Sequence, residues 1–252
     1  MIDTDSVTGR ALMADGKTYR TSQVTKQFND RGLTTQVEDL GDTAVTGDET
    51  CTKTFYFPET FNREGIRDRT KESMMYAGTC SAEHTATNNI TDVRVSYDGQ
   101  PFGTPPTRGN MTETDTLDSW DAKGQVFVPT SRNDYDKYGR ETASTDVFDK
   151  VTTTKYTPES GGPVTATTTT NTYGWTSTLE IDPNWGYPKG SVDPNGVRID
   201  TTYDALGRKT AVWADGRSKP NGDTASATFT YTDYDPVKAL PTSVESKAVQ
   251  DD

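Results

Sequence analysis

Along most of this sequence apolar and polar residues alternate with a two-residue period, and the alternation is clearest between Val197 and Asp215. There Val197, Ile199, Thr201 and Tyr203 alternate with Arg198, Asp200, Thr202 and Asp204. That is the period of a strand with one face packed and one wetted. Asp204 and Gly207 bracket Ala205-Leu206 as the first and fourth positions of a type I turn, where glycine takes positive φ and forms the bulge that twists the return strand. Arg208 to Trp213 is that return strand, so the stretch predicts one β-hairpin.

Shorter alternating runs punctuated by turn signals fill the rest. Tyr19 to Phe28 reads as a strand, with turns at Asp15-Gly16, Asn29-Asp30-Arg31-Gly32 and Leu40-Gly41-Asp42. Asn29 to Gly32, followed by Leu33 to Val37, is a weaker copy of the Asp204 turn and its return strand. Phe55-Tyr56-Phe57 before Pro58 predicts a strand end, Arg63 to Met75 a short helix or an irregular arm, and Val93 to Tyr97 a strand closed by Asp98-Gly99. The proline-rich stretch 101–110 reads as a loop or a boundary, dividing the chain into an N-terminal region, 1–110, and a hairpin array, 111–252.

Composition makes this a thin structure. Leu, Ile, Val and Phe number 7, 5, 17 and 8 among 252 residues, below the level at which a charged chain is suspected of disorder. Against that stand 46 Thr and an aromatic share of 10%, both typical of strands. The expectation is Thr-clad β structure with little deep core. A net charge of −12 with scattered Lys and Arg offers a phosphate backbone nothing to dock on, which argues against nucleic acid as a partner. No apolar run reaches the length of a membrane span. The start, Met-Ile-Asp-Thr-Asp, has neither a basic n-region nor an apolar h-region, and the sequence reads as a segment of something longer. Cys51 and Cys80, 29 positions apart, would form one disulfide in an exported protein and remain two thiols in a cytosolic one.

The second half repeats. Tyr135-Asp136-Lys137-Tyr138-Gly139-Arg140 and Tyr203-Asp204-Ala205-Leu206-Gly207-Arg208 share Tyr-Asp-x-x-Gly-Arg and lie 68 positions apart, about three units of twenty-odd residues. Intermediate copies occur at Tyr156 and at Asp182-Pro183-Asn184-Trp185-Gly186, Asp193-Pro194-Asn195-Gly196 and Asp215-Gly216 mark turns at the opposite ends, and a stretched last copy centres on Tyr231 or Tyr234. Units that cannot bury a face alone stack on their neighbours.

Tyr-Asp-x-x-Gly-Arg at this spacing, with Asp-Pro-Asn-Gly before it, resembles the YD repeat of the Rhs family, whose relatives include the C component of insecticidal toxin complexes and the teneurins. Upstream, Gly47 to Thr52, Gly78-Thr79-Cys80 and Tyr97 to Gly103 are similar to the segment preceding YD repeats in secreted Rhs-type proteins, which supports pairing Cys51 with Cys80. The resemblance implies an all-β fold of consecutive antiparallel hairpins in an extended, curved or spiralling sheet, a segment of a secreted or cell-surface shell around a toxin or other cargo domain. Its partners would be the remainder of that shell and the cargo, with edge-to-edge self-association of separated segments. Family shells carry more repeats than this sequence shows, so what is present would be one strip of wall.

No residue pattern points to catalysis, a cofactor or a bound metal. The family's self-cleavage uses aspartates in an Asp-Pro-x-Gly setting, which Asp193 to Gly196 matches, but another repeat follows directly and Asp182 is not placed beside Asp193 by anything in the sequence. Both read as hairpin turns. The sole histidine, His84, reads as a surface loop residue, and Asp233-Tyr234-Asp235 as a solvated turn lacking the spaced ligands of a calcium loop. Tyr135, Asp136, Gly139 and Arg140, with Tyr203, Asp204, Gly207 and Arg208, are therefore expected to hold turns and register. Trp120, Trp175, Trp185, Trp213 and the tyrosines are expected to form cross-strand ladders. The alternative is an extracellular binding or adhesion module in which a sheet face, or the arm near Arg63 to Met75, contacts glycans or a partner surface.

Overall fold

A computed structural model describes residues 4–57, 68–234, 237 and 241–249. The described chain is all-β apart from one short 3-10 turn at Lys219–Asn221. It divides into two compact units, 1–149 and 150–252.

The first unit holds β1 (Thr4–Leu12), β2 (Tyr19–Phe28), β3 (Thr34–Asp42), β4 (Thr50–Tyr56), β5 (Thr70–Ala77), β6 (Asn89–Tyr97), β7 (Met111–Asp121), β8 (Gly124–Tyr135) and β9 (Glu141–Asp146). Each strand pairs antiparallel with the next in sequence. Antiparallel neighbours need no crossover, whether the connection is a tight turn, as between β7 and β8, or a loop, as between β6 and β7. The arm expected from Arg63 to Met75 is corrected in part: Thr70–Ala77 is strand β5, its Thr, Met and Tyr laid out with period two, while 63–67 lie outside the described residues. Leu40-Gly41-Asp42 is likewise the end of β3 and not a turn. Gly41, with φ +56°, sits beside a bulge where β3 pairs with β2, and the chain reverses after Asp42.

The second unit holds β10 (Val151–Thr157), β11 (Ala166–Thr170), β12 (Thr176–Ile181), β13 (Pro188–Val192), β14 (Arg198–Tyr203), β15 (Lys209–Trp213), β16 (Ala227–Thr232) and β17 (Ser243–Ala248). Again each pairs antiparallel with the next. The 197–215 hairpin has the expected form: Gly207 N–H donates to Asp204 O at 3.0 Å, Gly207 has φ +74°, and the register shifts by a bulge beside Tyr203.

Its faces are the reverse of the expectation. Asp200 is buried at 4% exposure, whereas Val197 and Ile199 are 50% and 43% exposed. Asp200 turns inward because the Arg198 guanidinium, which also binds Glu180, covers it with opposite charge.

Core is sparse, as the composition requires. In the first unit one cluster joins Cys51, Tyr76 and Cys80 with Met74 beside it, and another joins Phe57, Val95 and Tyr97. Val95 and Tyr97 alternate along β6 with Asp92 and Arg94, so the strand is covered on both faces. The loop 78–88 overlies the Asp92 face, and Phe102 of the 98–110 loop meets Arg94 at 4.8 Å. Asp98 holds the 98–110 loop by accepting from the backbone N–H groups of Thr107, Arg108, Gly109 and Asn110 at 2.6–3.2 Å.

Candidate functional site

The residues singled out by the repeat build clasps. At Asn29, Asp136, Asn171, Asp193 and Asp204, side-chain Oδ1 accepts from the backbone N–H groups two and four residues on, at 2.8–3.1 Å. Three residues on, Gly32, Gly139, Gly174, Gly196 and Gly207 donate back to the carbonyl at 2.8–3.0 Å. Asx side chains close turns in this way because their carbonyl or carboxylate oxygen mimics a backbone acceptor.

Two turns add an arginine. Arg140 Nε donates to Asp136 Oδ2 at 2.6 Å, and Arg208 Nε to Asp204 Oδ2 at 2.7 Å. Arg208 also reaches Asp233 Oδ1 at 2.7 Å and lies over the Tyr231 ring at 4.5 Å. The N–H of Arg208 first, then its guanidinium and the N–H of Leu206, together outweigh the opposing effect of burial and hold the Asp204 carboxyl below the usual carboxylate range. At Asp136 burial pushes the carboxyl up, but the hydrogen bonds from Arg140 and Tyr138 outweigh it and the net shift is downward.

A second clasp was not foreseen. Tyrosines near the ends of four strands donate their phenol to the carbonyl of the first residue of the preceding strand: Tyr56 to Thr34, Tyr97 to Thr70, Tyr203 to Pro188 and Tyr231 to Lys209, at 2.7–3.0 Å. Burial raises the pKa of Tyr56, Tyr97 and Tyr203, keeping these phenols protonated donors. At the end of β8, which Tyr135 closes, the corresponding carbonyl, Met111 O, instead receives Asn133 Nδ2 at 3.3 Å. The sequence signal for Tyr56 and Tyr97 was an aromatic at the last alternating position before a turn. Neither is followed by Gly-Arg at the repeat spacing, so the repeat motif does not mark them.

Aromatic rings bridge neighbouring hairpins as a ladder. Trp185 stacks on Tyr187 with centroids 6.4 Å apart, and Tyr187 meets Tyr203 at 5.3 Å. Both Trp185 and Tyr187 lie against Gly207, where a Cβ would come within 3.1 Å of either ring. Asp182 and Asp193 occupy turns at opposite ends of β13, so the two carboxyls are not brought together. Asp235 lies outside the described residues, and among those described no group of three or more His, Cys, Asp or Glu could hold a metal ion.

The 78–88 loop gathers the other chemistry. Cys51 and Cys80 form a disulfide, fixing the start of the loop to β4. Tyr76 donates toward Cys80 O and Ala82 O at 3.4 and 3.3 Å, and Cys80 N–H donates to Glu38 Oε1 at 2.7 Å. His84 is not the solvated residue expected. Its side chain is 10% exposed, stacked on Tyr76 at 5.4 Å and edge-on to Trp120 at 5.7 Å. Its Nε2 lies 2.8 Å from Asn89 Oδ1, and its Nδ1 faces Asp92 Oδ2 at 4.0 Å. Asp92 is fully buried, accepts from Gln125 Nε2 at 3.1 Å, and its Oδ1 has no hydrogen-bond partner among the described residues. Burial first, and then the Glu72 carboxylate, push Asp92 up to about 6, against the opposing influence of His84, Arg94 and Gln125. One histidine among threonines carries no sequence period, so nothing in the sequence pointed to this packing.

The fold defined by these clasps is an antiparallel hairpin array, and solved structures with a similar fold come from toxin complexes. Over 90% of its length the chain is similar to the crystal structures of TcdB2-TccC3 (TM-score 0.55, 12% identity) and TcdB2-TccC3-Cdc42 (0.54, 12%), and to the Photorhabdus luminescens Tc holotoxin pore with a mutated TccC3 (0.53, 12%). The similarity covers 16% of each of those chains, so this chain spans about a sixth of their length. No protein-family model matches the sequence, and no curated protein matches it.

Proposed function

We propose that the chain is a non-enzymatic strip of an exported Rhs/YD-repeat protein, its hairpins forming part of a wall around a toxin or other cargo domain. The observation that carries this reading is the recurrence of Asx turns and tyrosine clamps from Asn29 to Tyr231 in both units. Such a row gives each hairpin the same means of fixing its neighbour and concentrates no chemistry at one point. The likeness in fold to chains of toxin complexes supports the setting. The Cys51–Cys80 disulfide supports export, since such bonds persist in oxidising compartments. Partners in this reading are the adjoining hairpins, which would extend the ladder beyond β1 and β17, and the enclosed cargo. Separated strips would associate edge to edge.

Limited proteolysis of the full-length protein, with fragments mapped by mass spectrometry, tests the proposal. A cargo domain that resists protease while the wall is folded supports it. A cargo cleaved as fast as the same domain alone overturns it, and tight, saturable binding of a glycan by this chain would favour adhesion instead.

A further inference from the structure

We infer that Asp92 and His84 form a proton-dependent latch that holds the 78–88 loop against β5, β6 and β7, closed when the pair shares one proton and loosened when it holds none. The argument starts from donors and acceptors. Asn89 Oδ1 accepts only, so His84 Nε2 must carry the hydrogen across their 2.8 Å contact. In a neutral imidazole that leaves Nδ1 as a bare lone pair, and it faces Asp92 Oδ2 at 4.0 Å. A lone pair opposite an ionised carboxylate is repulsive.

One proton removes the conflict, whether it sits on Asp92 as a hydroxyl directed at Nδ1 or on His84 as an imidazolium directed at Asp92. The position leaves few other ways to satisfy the carboxylate: Asp92 is at 0% exposure, and Oδ1 lacks a partner among the described residues. The raised pKa of Asp92 agrees with a group that resists ionising where it stands.

Charges on every packed element bear on the pair. Glu72 of β5 disfavours a second negative charge, and Arg94 of β6 favours one. Arg94 is engaged elsewhere, with Glu72 at 2.9 Å, Gln125 at 3.3 Å and the Phe127 ring at 3.6 Å. Lys53 of β4 sits over the Tyr76 ring at 5.6 Å, Gln125 of β8 donates to Asp92 Oδ2, and β7 presents Trp120 to the imidazole. The mechanical consequence follows from the loop's anchors. The disulfide and Tyr76 hold its start, Asn88 holds its end through Ala77 O and Glu83 O, and His84 is the clasp between them.

Because His84 is the sole histidine, its imidazole signals in the NMR spectrum of the intact, oxidised chain are unambiguous. The expected result is an Nε2–H tautomer, with amide protection factors across 81–87 falling by about tenfold or more as pH rises through about 6, where the buried Asp92 carboxyl ionises. Asp92→Asn should abolish that pH dependence and keep the loop protected, since an amide can donate to Nδ1 at any pH. His84→Gln keeps a donor for Asn89 and removes the lone pair that faces Asp92, so protection of the loop should depend on pH less than in the unmodified chain even though Asp92 itself still ionises, and this variant serves if the first does not fold. Protection factors that are flat with pH in the unmodified chain, or an unchanged pH profile in the variants, would overturn the latch.

Discussion

The guanidinium of Arg198 lies over Gly190 and ties Glu180 on β12 to Asp200 on β14, with contacts of 3.0 Å and 2.7 Å. Glu180, Gly190 and Asp200 are register partners across three strands. A Cβ at Gly190 would fall 2.9 Å from both Arg198 Nη2 and Glu180 Oε2. Glycine is thus the gap through which one cation serves two carboxylates, and the pair raises the arginine's pKa further, Asp200 first and Glu180 second.

Substituting Gly190→Val should break this bridge and, with Asp200 at 4% exposure left short of donors, destabilise the second unit by about 1–3 kcal/mol. Urea unfolding midpoints would measure it. Arg198→Met should cost a similar amount, and the two losses should combine to less than their sum because both act on one interaction.

Tyr97 supplies the most buried phenol clamp, at 5% exposure, and it packs edge-on to Phe57 at 5.9 Å. Tyr97→Phe keeps the ring and removes only the bond to Thr70 O. The expected loss is about 1 kcal/mol, together with faster amide exchange at the start of β5.

Gly207 combines a φ of +74° with aromatic rings where a Cβ would stand. Gly207→Val should therefore displace Trp185 and Tyr187 as well as strain the turn, costing more than Gly196→Val, where φ is +80° but no atom lies within 4 Å of the added Cβ. Paired thermal melts compare the two, and near-UV circular dichroism should change for the first and not the second.

Acid acts on the carboxylates in opposite directions. Asp92 is raised to about 6, so its folded form binds a proton that the unfolded chain has released between roughly pH 4 and pH 6, and its contribution to stability falls as pH rises through that window. Asp92→Asn should flatten that part of the profile and raise stability at neutral pH by an amount on the order of 2 kcal/mol. Asp98 is lowered: burial pushes it up, but four backbone N–H groups outweigh that, so its contribution is present above the usual carboxylate range and lost as pH falls below it. Denaturation profiles from about pH 3 to pH 8 separate the two signs.

Reducing the disulfide should cost about 3–4 kcal/mol by loop-entropy reasoning and expose the 78–88 loop to protease. A reduced chain with the unfolding midpoint of the oxidised one would contradict this.

Much of the fold was legible in the sequence because its determinants are local. Asx followed by glycine three residues on marks turns at Asn29, Asp136 and Asp204 wherever it occurs, and period-two alternation marks the strands between them. What failed was the polarity of faces. A Val197–Ile199 face looks like an interior by hydrophobicity, but burial in a single sheet is decided by cross-strand partners such as Glu180 and Gly190, which sit 18 and 10 positions from Arg198 and Asp200 respectively. The His84 cluster was invisible for the same reason: its members come from a loop and from β5, β6, β7 and β8, joined only by tertiary packing.

Within each unit every strand pairs with its immediate successor. Such a chain has low contact order, with each hairpin able to close as soon as its own twenty or so residues are available and before anything further along exists. It can therefore assemble progressively from either end, and the gain or loss of a whole hairpin changes the length of the array without disturbing the pairing of what remains.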